Sequence, residues 1–433
     1  MVHIYEPDHF TLTLLQSINK IRMTYSCDNQ TNPVFTEEEK QRILAKSAQF
    51  APPSSQLPDG RHDLIGLSRE ELTQILVDLG EKPFRTKQLW HWIYHKGVTD
   101  FSLMSSIAKP LQKKLSDHFI ISRPELVTEQ NSKDTTRKFL FRFRDGQEAE
   151  TVYIPDRQED RGAVCISSQV GCTLSCRFCH TGTQNLVRNL SAAEIVGQFM
   201  AARDSYGEWP SPSGGTPRLL STIVLMGMGE PLYNYDNIAK AMLIVMDDEG
   251  IGISRRRITL STSGVVPMMD QCGHDLAINL AISLHAVRDD LRDELVPLNR
   301  KYPIKDVLAA CKRYPAASNS RRITFEYIML RNVNDSEADA RELVRLISGI
   351  HAKVNLIPFN AWPGSAYKPS KSEQVQRFAD IIMNAGYSSP IRVPRGRDIL
   401  AACGQLRTQS QRFRASQSTM KRTLSETNTN CSP

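Results

Sequence analysis

No apolar run in this 433-residue chain approaches the ~18 residues that a membrane-spanning helix requires. The opening stretch, Met1-Val2-His3-Ile4-Tyr5-Glu6, lacks the basic-then-apolar order of a secretory leader. It carries acids early, which also argues against an organellar presequence. A cytoplasmic monomer with no membrane association is the expectation. Charge of one sign is not in large excess: 54 Lys and Arg against 47 Asp and Glu leave +7. That balance permits a polyanionic partner without demanding one. The nine cysteines are odd in number and no leader accompanies them, so a disulfide framework is not expected. What stands out is that three of the nine fall within eight residues.

The chain divides by pattern. Residues 1–62 show weak periodicity, with one helix near Glu37–Lys46, and read as a flexible extension. Residues 63–120 read as a small helical domain. Ser68 and Glu71 form a capping box, Leu72, Ile75, Leu76 and Leu79 make one apolar face, and Gly80 ends the helix. A second helix over Thr86–Lys96 mixes Arg85, Lys87, His91, His95 and Lys96 with Trp90, Trp92 and Tyr94. It reads either as a surface that lies on phosphates and stacks on bases, or as core residues Leu89, Trp92 and Ile93 backed by a solvated basic face. Residues 121–160 read as a linker containing a hairpin, Arg137–Phe143 and Glu150–Ile154 about an Asp145-Gly146 turn. From 161 to 406 strands and helices alternate. The expected strands are Ala163–Ser168, Leu219–Met226, Arg257–Thr262, Leu276–Leu284, Arg322–Leu330 and Lys353–Pro358. Six such units are too few for a closed eight-unit barrel, so the fold class is α/β, an open partial βα barrel. The Ser-, Thr- and Arg-rich residues 407–433 read as a flexible tail.

Directly after the first strand of the series comes Gly171-Cys172-Thr173-Leu174-Ser175-Cys176-Arg177-Phe178-Cys179-His180. In this C-x3-C-x2-C spacing three thiolates can wrap a cubic iron–sulfur cluster and leave one iron for a substrate. A zinc site is the competing reading, with His180 as fourth ligand; the paired C-x2-C units of structural zinc sites are missing. Polar residues also gather at the carboxyl ends of the expected strands, where a βα barrel carries its active site: Gly229 and Glu230, Ser261, Ser283 and His285, and Asn360. The glycines of Gly227-Met228-Gly229-Glu230 let backbone approach a ligand, and Glu230 can accept from an ammonium group.

The ordered run of motifs resembles a known family. It comprises the cysteine loop, Glu150-Thr151-Val152-Tyr153-Ile154-Pro155, Cys165-Ile166-Ser167-Ser168-Gln169-Val170-Gly171, Arg188-Asn189-Leu190, Met226-Gly227-Met228-Gly229-Glu230-Pro231-Leu232, Leu260-Ser261-Thr262-Ser263-Gly264, Ile282-Ser283-Leu284-His285-Ala286 and Asp398-Ile399-Leu400-Ala401-Ala402-Cys403-Gly404. Over roughly 63–407 the chain is similar to the radical S-adenosylmethionine RNA adenine carbon-2 methyltransferases of the RlmN family.

The resemblance implies one 4Fe-4S cluster on Cys172, Cys176 and Cys179. It implies S-adenosylmethionine, two molecules per turnover, held by Gly229, Glu230, Ser261, Ser283, Leu284, His285 and Asn360. It further implies that Cys403 takes a methyl group and that a 5′-deoxyadenosyl radical then activates this group for addition to the adenine carbon. Glu150 accepts the proton lost there. Cys165 attacks the Cys403 sulfur to release product, leaving a transient Cys165–Cys403 disulfide. The implied partners are large-subunit rRNA, tRNA with the adenosine 3′ of its anticodon, and an electron donor of the flavodoxin or ferredoxin kind. Methylation at carbon 8, as in the Cfr type, uses the same cysteines and is the first alternative. A non-catalytic zinc RNA-binding protein is the second. Cys27, Cys272, Cys311 and Cys431 carry no role in any of these readings.

Overall fold

The computed structural model describes residues 36–156, 161–212 and 218–408. Residues 409–433 of the tail expected from 407, and residues 1–35 of the expected extension, lie outside them. Residue 36 is the last of one compact unit, and Glu37–Pro433 form the other.

Nine strands make one sheet in which each strand pairs with the next along the chain. These are β1 Glu125–Asn131, β2 Arg137–Arg142, β3 Glu148–Pro155, β4 Gly162–Cys165, β5 Leu220–Leu225, β6 Ile258–Thr262, β7 Asn279–Ser283, β8 Ile323–Met329 and β9 Ala352–Pro358. From β4 to β9 all pairing is parallel. The six strands expected from 161 onward are all present, and β1 and β9 do not pair, so the barrel is open. The strands of this parallel part are largely buried, with helices covering the outside. In β8 every residue is buried. The covering helices begin where the sequence places caps. Over Ala192–Tyr206, Ser191 accepts from the Glu194 amide and the Glu194 side chain returns the bond, as expected.

The hairpin expected within 121–160 is joined to this sheet. β3 pairs antiparallel with β4, placing Val152 opposite Cys165. A further strand, β1, pairs antiparallel with β2 on the outer edge. The three strands thus extend the barrel wall on the side of its first parallel strand.

The helices of 63–120 also lie against the barrel. α1, Arg69–Asp78, shows the expected Ser68–Glu71 capping box. Arg69 forms a bidentate pair with Asp247 at 2.6 and 2.7 Å, and Lys240 pairs with Glu71. Gly66 sits at φ +80°, and a Cβ there would lie 2.3 Å from the Ala193 amide. Only glycine allows this approach. The expected helix over Thr86–Lys96 is helical from Arg85, with a wider π turn over His91–His95. Trp90 and Tyr94 are 2% and 0% exposed. Neither ring can stack on a base, and Leu89 and Ile93 of the core reading are buried with them. Trp92 is half-buried and donates to Ser106.

Residues 36–62 contain a helix, Glu37–Ala48, which places Ile43 in the core; Lys40 reaches Gln271 on the barrel. No helix among the described residues is long and apolar enough to cross a membrane.

Candidate active site

After β9 and its helix, Ser372–Asn384, the chain runs back beside β9 through parallel bridges at Ser388 and Ile391. It then crosses the barrel mouth as a strap. At one end Asp398 accepts from Ser132 and from the Lys133 amide, and the Gly396 amide donates to Asp134. These anchors lie in the β1–β2 turn, at the far edge of the sheet. At the other end the strap binds the residues that follow the third cysteine of the loop. The His180 amide donates to Gly404 O at 2.7 Å, and Thr181 Oγ1 donates to Leu406 O at 2.6 Å. Arg407 donates to His180 Nε2, so the His180 proton sits on Nδ1, which faces Gln405 O. Between the two anchorages Cys403 is exposed.

Beneath the strap, at the carboxyl ends of the parallel strands, is a cavity. Cys172, Cys176 and Cys179 line it together with Gly229, Glu230, Ser261, Ser283, His285 and Cys403. A second, smaller cavity adjoins it, lined by Cys165, Asn360, Arg392 and Arg395. Cys179, Cys403 and Arg392 belong to both walls. Residues expected at one site, far apart in sequence, are therefore neighbours. Leu284 is fully buried behind the wall and lines neither cavity; its amide donates to Glu326 O. Asn360 faces the second cavity and donates to Cys403 O at 3.3 Å.

The carboxylate of Glu230 accepts from the Leu232 and Ser263 amides, and burial pushes its pKa up to about 7. An incoming ammonium would pay that desolvation back as a charge-assisted contact. His285 has φ +62°, a strained conformation for a residue other than glycine. Its Nδ1 accepts from the Ile328 amide at 3.1 Å, and burial lowers its pKa to about 3, so it is a neutral ring with Nε2–H as donor. Arg292 was not anticipated. Fully buried, it donates to the carbonyls of Ser263, Ser283 and Leu284 and so ties the ends of β6 and β7 together.

Glu150 lines neither cavity. It is 5% exposed, paired with Lys138 at 3.0 Å, and accepts from the Arg407 amide at 2.7 Å. Burial raises its pKa and the Lys138 ammonium opposes the rise. Cys165 is buried at the end of β4; burial and the nearby Cys403 push its thiol far up. Cys165 and Cys403 are both free thiols in this structure.

The three loop cysteines suit a cluster rather than a single ion. No group of three His, Cys, Asp or Glu among the described residues converges tightly enough for one metal. Thiols spaced around a cavity match a cluster in which three of the four irons each take one thiolate. Burial raises all three, Cys176 to about 12, so they are neutral until a cationic group draws off their protons. His180, the candidate fourth zinc ligand, is committed to the strap and stacks on Trp362 at 4.7 Å.

Family comparisons agree with this geometry. Residues 62–121 match the ribosomal RNA large subunit methyltransferase N-terminal domain, and residues 166–344 match the radical SAM superfamily. A dual-specificity RNA methyltransferase RlmN from Gluconobacter oxydans is 76% identical, over 87% of this chain and 93% of its own length. The chain belongs to the RlmN family of radical S-adenosylmethionine enzymes. The RlmN of Granulibacter bethesdensis is 74% identical over 88% of this chain and 96% of its own. The crystal structure of a radical SAM methyltransferase from Sphaerobacter thermophilus is 42% identical, with a TM-score of 0.73, over 80% of this chain and 99% of that one. Membership in this family makes the chain an enzyme whose cofactors are a 4Fe-4S cluster and S-adenosylmethionine.

Proposed function

We propose that this RlmN-family enzyme methylates carbon 2 of adenine in large-subunit rRNA and in tRNA, at the adenosine 3′ of the anticodon. The observation that carries the reading is the convergence of Cys403, Cys165 and the three loop thiols on two adjoining cavities. Carbon 2 is electron-poor and cannot attack a methyl sulfonium, so the methyl must travel on a protein atom. Cys403, exposed on the wall shared by both cavities, is placed to take it. Held by Cys172, Cys176 and Cys179, the cluster would supply the single electron that splits a second S-adenosylmethionine. Glu230 would hold the ligand's ammonium, with Gly229, Ser261, Ser283, Leu284, His285 and Asn360 shaping its site.

Once a hydrogen atom of that methyl has passed to the 5′-deoxyadenosyl fragment of the split ligand, its carbon would bond to adenine carbon 2. The carbon-2 proton would go to Glu150 and the one unpaired electron back to the one-electron centre that supplied it. Lys138 keeps that carboxylate available against burial, and the Arg407 amide must release it before substrate can approach. Cys165, giving up its thiol proton, would attack the Cys403 sulfur. The sulfur–carbon bond breaks, the released carbon takes up a proton to become the product methyl, and the disulfide formed is reduced by an external thiol. A small flavodoxin- or ferredoxin-type carrier, a monomeric chain and a cytoplasmic setting complete the proposal. Nucleoside mass spectrometry of RNA treated with the loaded enzyme tests it. We expect 2-methyladenosine; 8-methyladenosine or unmodified adenosine would overturn it.

RNA contacts belong on the face that holds the mouth. Arg392 and Arg395 line the second cavity. Lys109, Lys113 and Lys114 are exposed on the helix Lys109–His118. Arg255, Arg256 and Arg257, a basic run suited on sequence to phosphate contact, precede the first residue of β6 and so sit at the end of the barrel opposite the cavity. Replacing all three with alanine is expected to leave RNA affinity within about twofold of wild type, whereas Arg395→Glu is expected to weaken it severalfold. Filter binding at fixed salt checks both.

A further inference from the structure

Glu326 has no part in the roles above, and its surroundings do not explain its presence. It is the fourth residue of β8, Ile323–Met329, and is 7% exposed in a strand that is otherwise buried and largely apolar. It lines the larger cavity with the three loop thiols, Ser283 and His285. Asn355 donates to its Oε1 at 2.9 Å, and no other donor reaches the carboxylate among the described residues. Arg392 and Lys353 act on it only through space, without an ion pair, and burial raises its pKa. A carboxylate so placed costs several kcal/mol of desolvation unless something completes its hydrogen bonding. Packing cannot be the reason, since an apolar residue would serve the strand better.

The register shows what it belongs to. Ser283 on β7 pairs with Glu326, and Glu326 pairs with Asn355 on β9. Thr262 pairs with Ile282, which brings Ser263 of the β6 end beside the same row. A line of polar side chains therefore crosses the inner wall from the Glu230 side outward. Glu326 lies three strands from β5, whose following turn carries Glu230. Three strand spacings are about 14 Å on a flat sheet and less on a curved one. A ligand spanning that row has an amino-acid head at one end and a nucleoside at the other. A carboxylate oxygen with no protein donor requires donors from the ligand. The sulfonium has none, and the vicinal hydroxyls of a ribose supply two.

We propose that Glu326 is a further S-adenosylmethionine-binding residue whose unpartnered carboxylate oxygen accepts hydrogen bonds from the ribose hydroxyls. The proposal rests on the reading that the ligand's ammonium sits at Glu230. The test uses the full chain with its cluster reconstituted, and equilibrium dialysis of S-adenosylmethionine and of an analogue whose ribose lacks both hydroxyls. Glu326→Gln keeps the shape and removes the charge. Its affinity for S-adenosylmethionine is expected to fall about tenfold or more, while the analogue binds wild type and variant alike. Glu326→Asp, which keeps the charge on a shorter stem, is expected to fall less and serves if the Gln variant does not fold. Unchanged affinity for S-adenosylmethionine, or an equal loss for the analogue, would overturn the assignment. A loaded wild-type chain that binds no S-adenosylmethionine would instead overturn the reading of the cavity itself, and the role of Glu326 with it.

Discussion

Cys165→Ala, produced in cells with their native RNA, is expected to accumulate as a protein–RNA adduct joined through the Cys403 sulfur. Cys165 closes β4 and lines the second cavity, whose wall Cys403 shares with the larger one. Its thiol is the group placed to attack the Cys403 sulfur once the methyl carbon is bonded to adenine. The substitution removes little more than one buried sulfur, so its stability cost is about 1 kcal/mol and the fold should survive. Every step before release remains possible. The expected signature is a slow-migrating band that RNase collapses, with a nucleotide mass on the peptide containing Cys403. A double variant, Cys165→Ala with Cys403→Ala, should show no adduct. A cluster-loaded Cys165→Ala sample without adduct would refute the methyl-carrier scheme.

Replacing any one of Cys172, Cys176 or Cys179 with alanine is expected to abolish cluster retention and all reductive cleavage of S-adenosylmethionine. Three thiols hold the cube at three irons and leave the fourth for the ligand. With two, the site loses a ligand, and His180 is not free to replace it, being bound to Arg407 and stacked on Trp362. Iron and sulfide analysis after anaerobic reconstitution measures the loss. Release of 5′-deoxyadenosine under a strong reductant, expected at background, measures the chemistry. The wild-type protein should carry about four irons and four sulfides per chain. Zinc in their place would favour the binding-protein reading over the enzyme.

The parallel strands were legible because strands buried on both faces read as short apolar runs between capped helices. The cysteine loop was legible because its spacing is chemistry written in consecutive residues. β1 was not, since its residues Glu125–Asn131 are mostly exposed and carry no alternating apolar signal. That the hairpin completes the barrel wall depends on pairing across the chain, which no local pattern records. Trp90 and Tyr94 fitted a stacking surface on sequence, but the fold buries both rings. Arg255–Arg257 read as basic without a direction, and only the course of β6 places them away from the mouth. Glu326 did leave a trace, a lone acid in Ile323–Met329, but apolar neighbours on both sides masked it. Arg292 left none, because its partners are carbonyls.

The strap that carries Cys403 has a consequence for biosynthesis. Each of the nine strands after the first, β1, pairs with the strand of this sheet made before it, so the wall can grow strand by strand as the chain leaves the ribosome. The segment from Gly396 to Thr408 is made after all of them, and its anchors on Ser132 and Thr181 were made long before. Iron and sulfide can therefore be delivered to an uncovered basin, and the reactive thiol arrives last, as the lid that seals a finished cofactor inside.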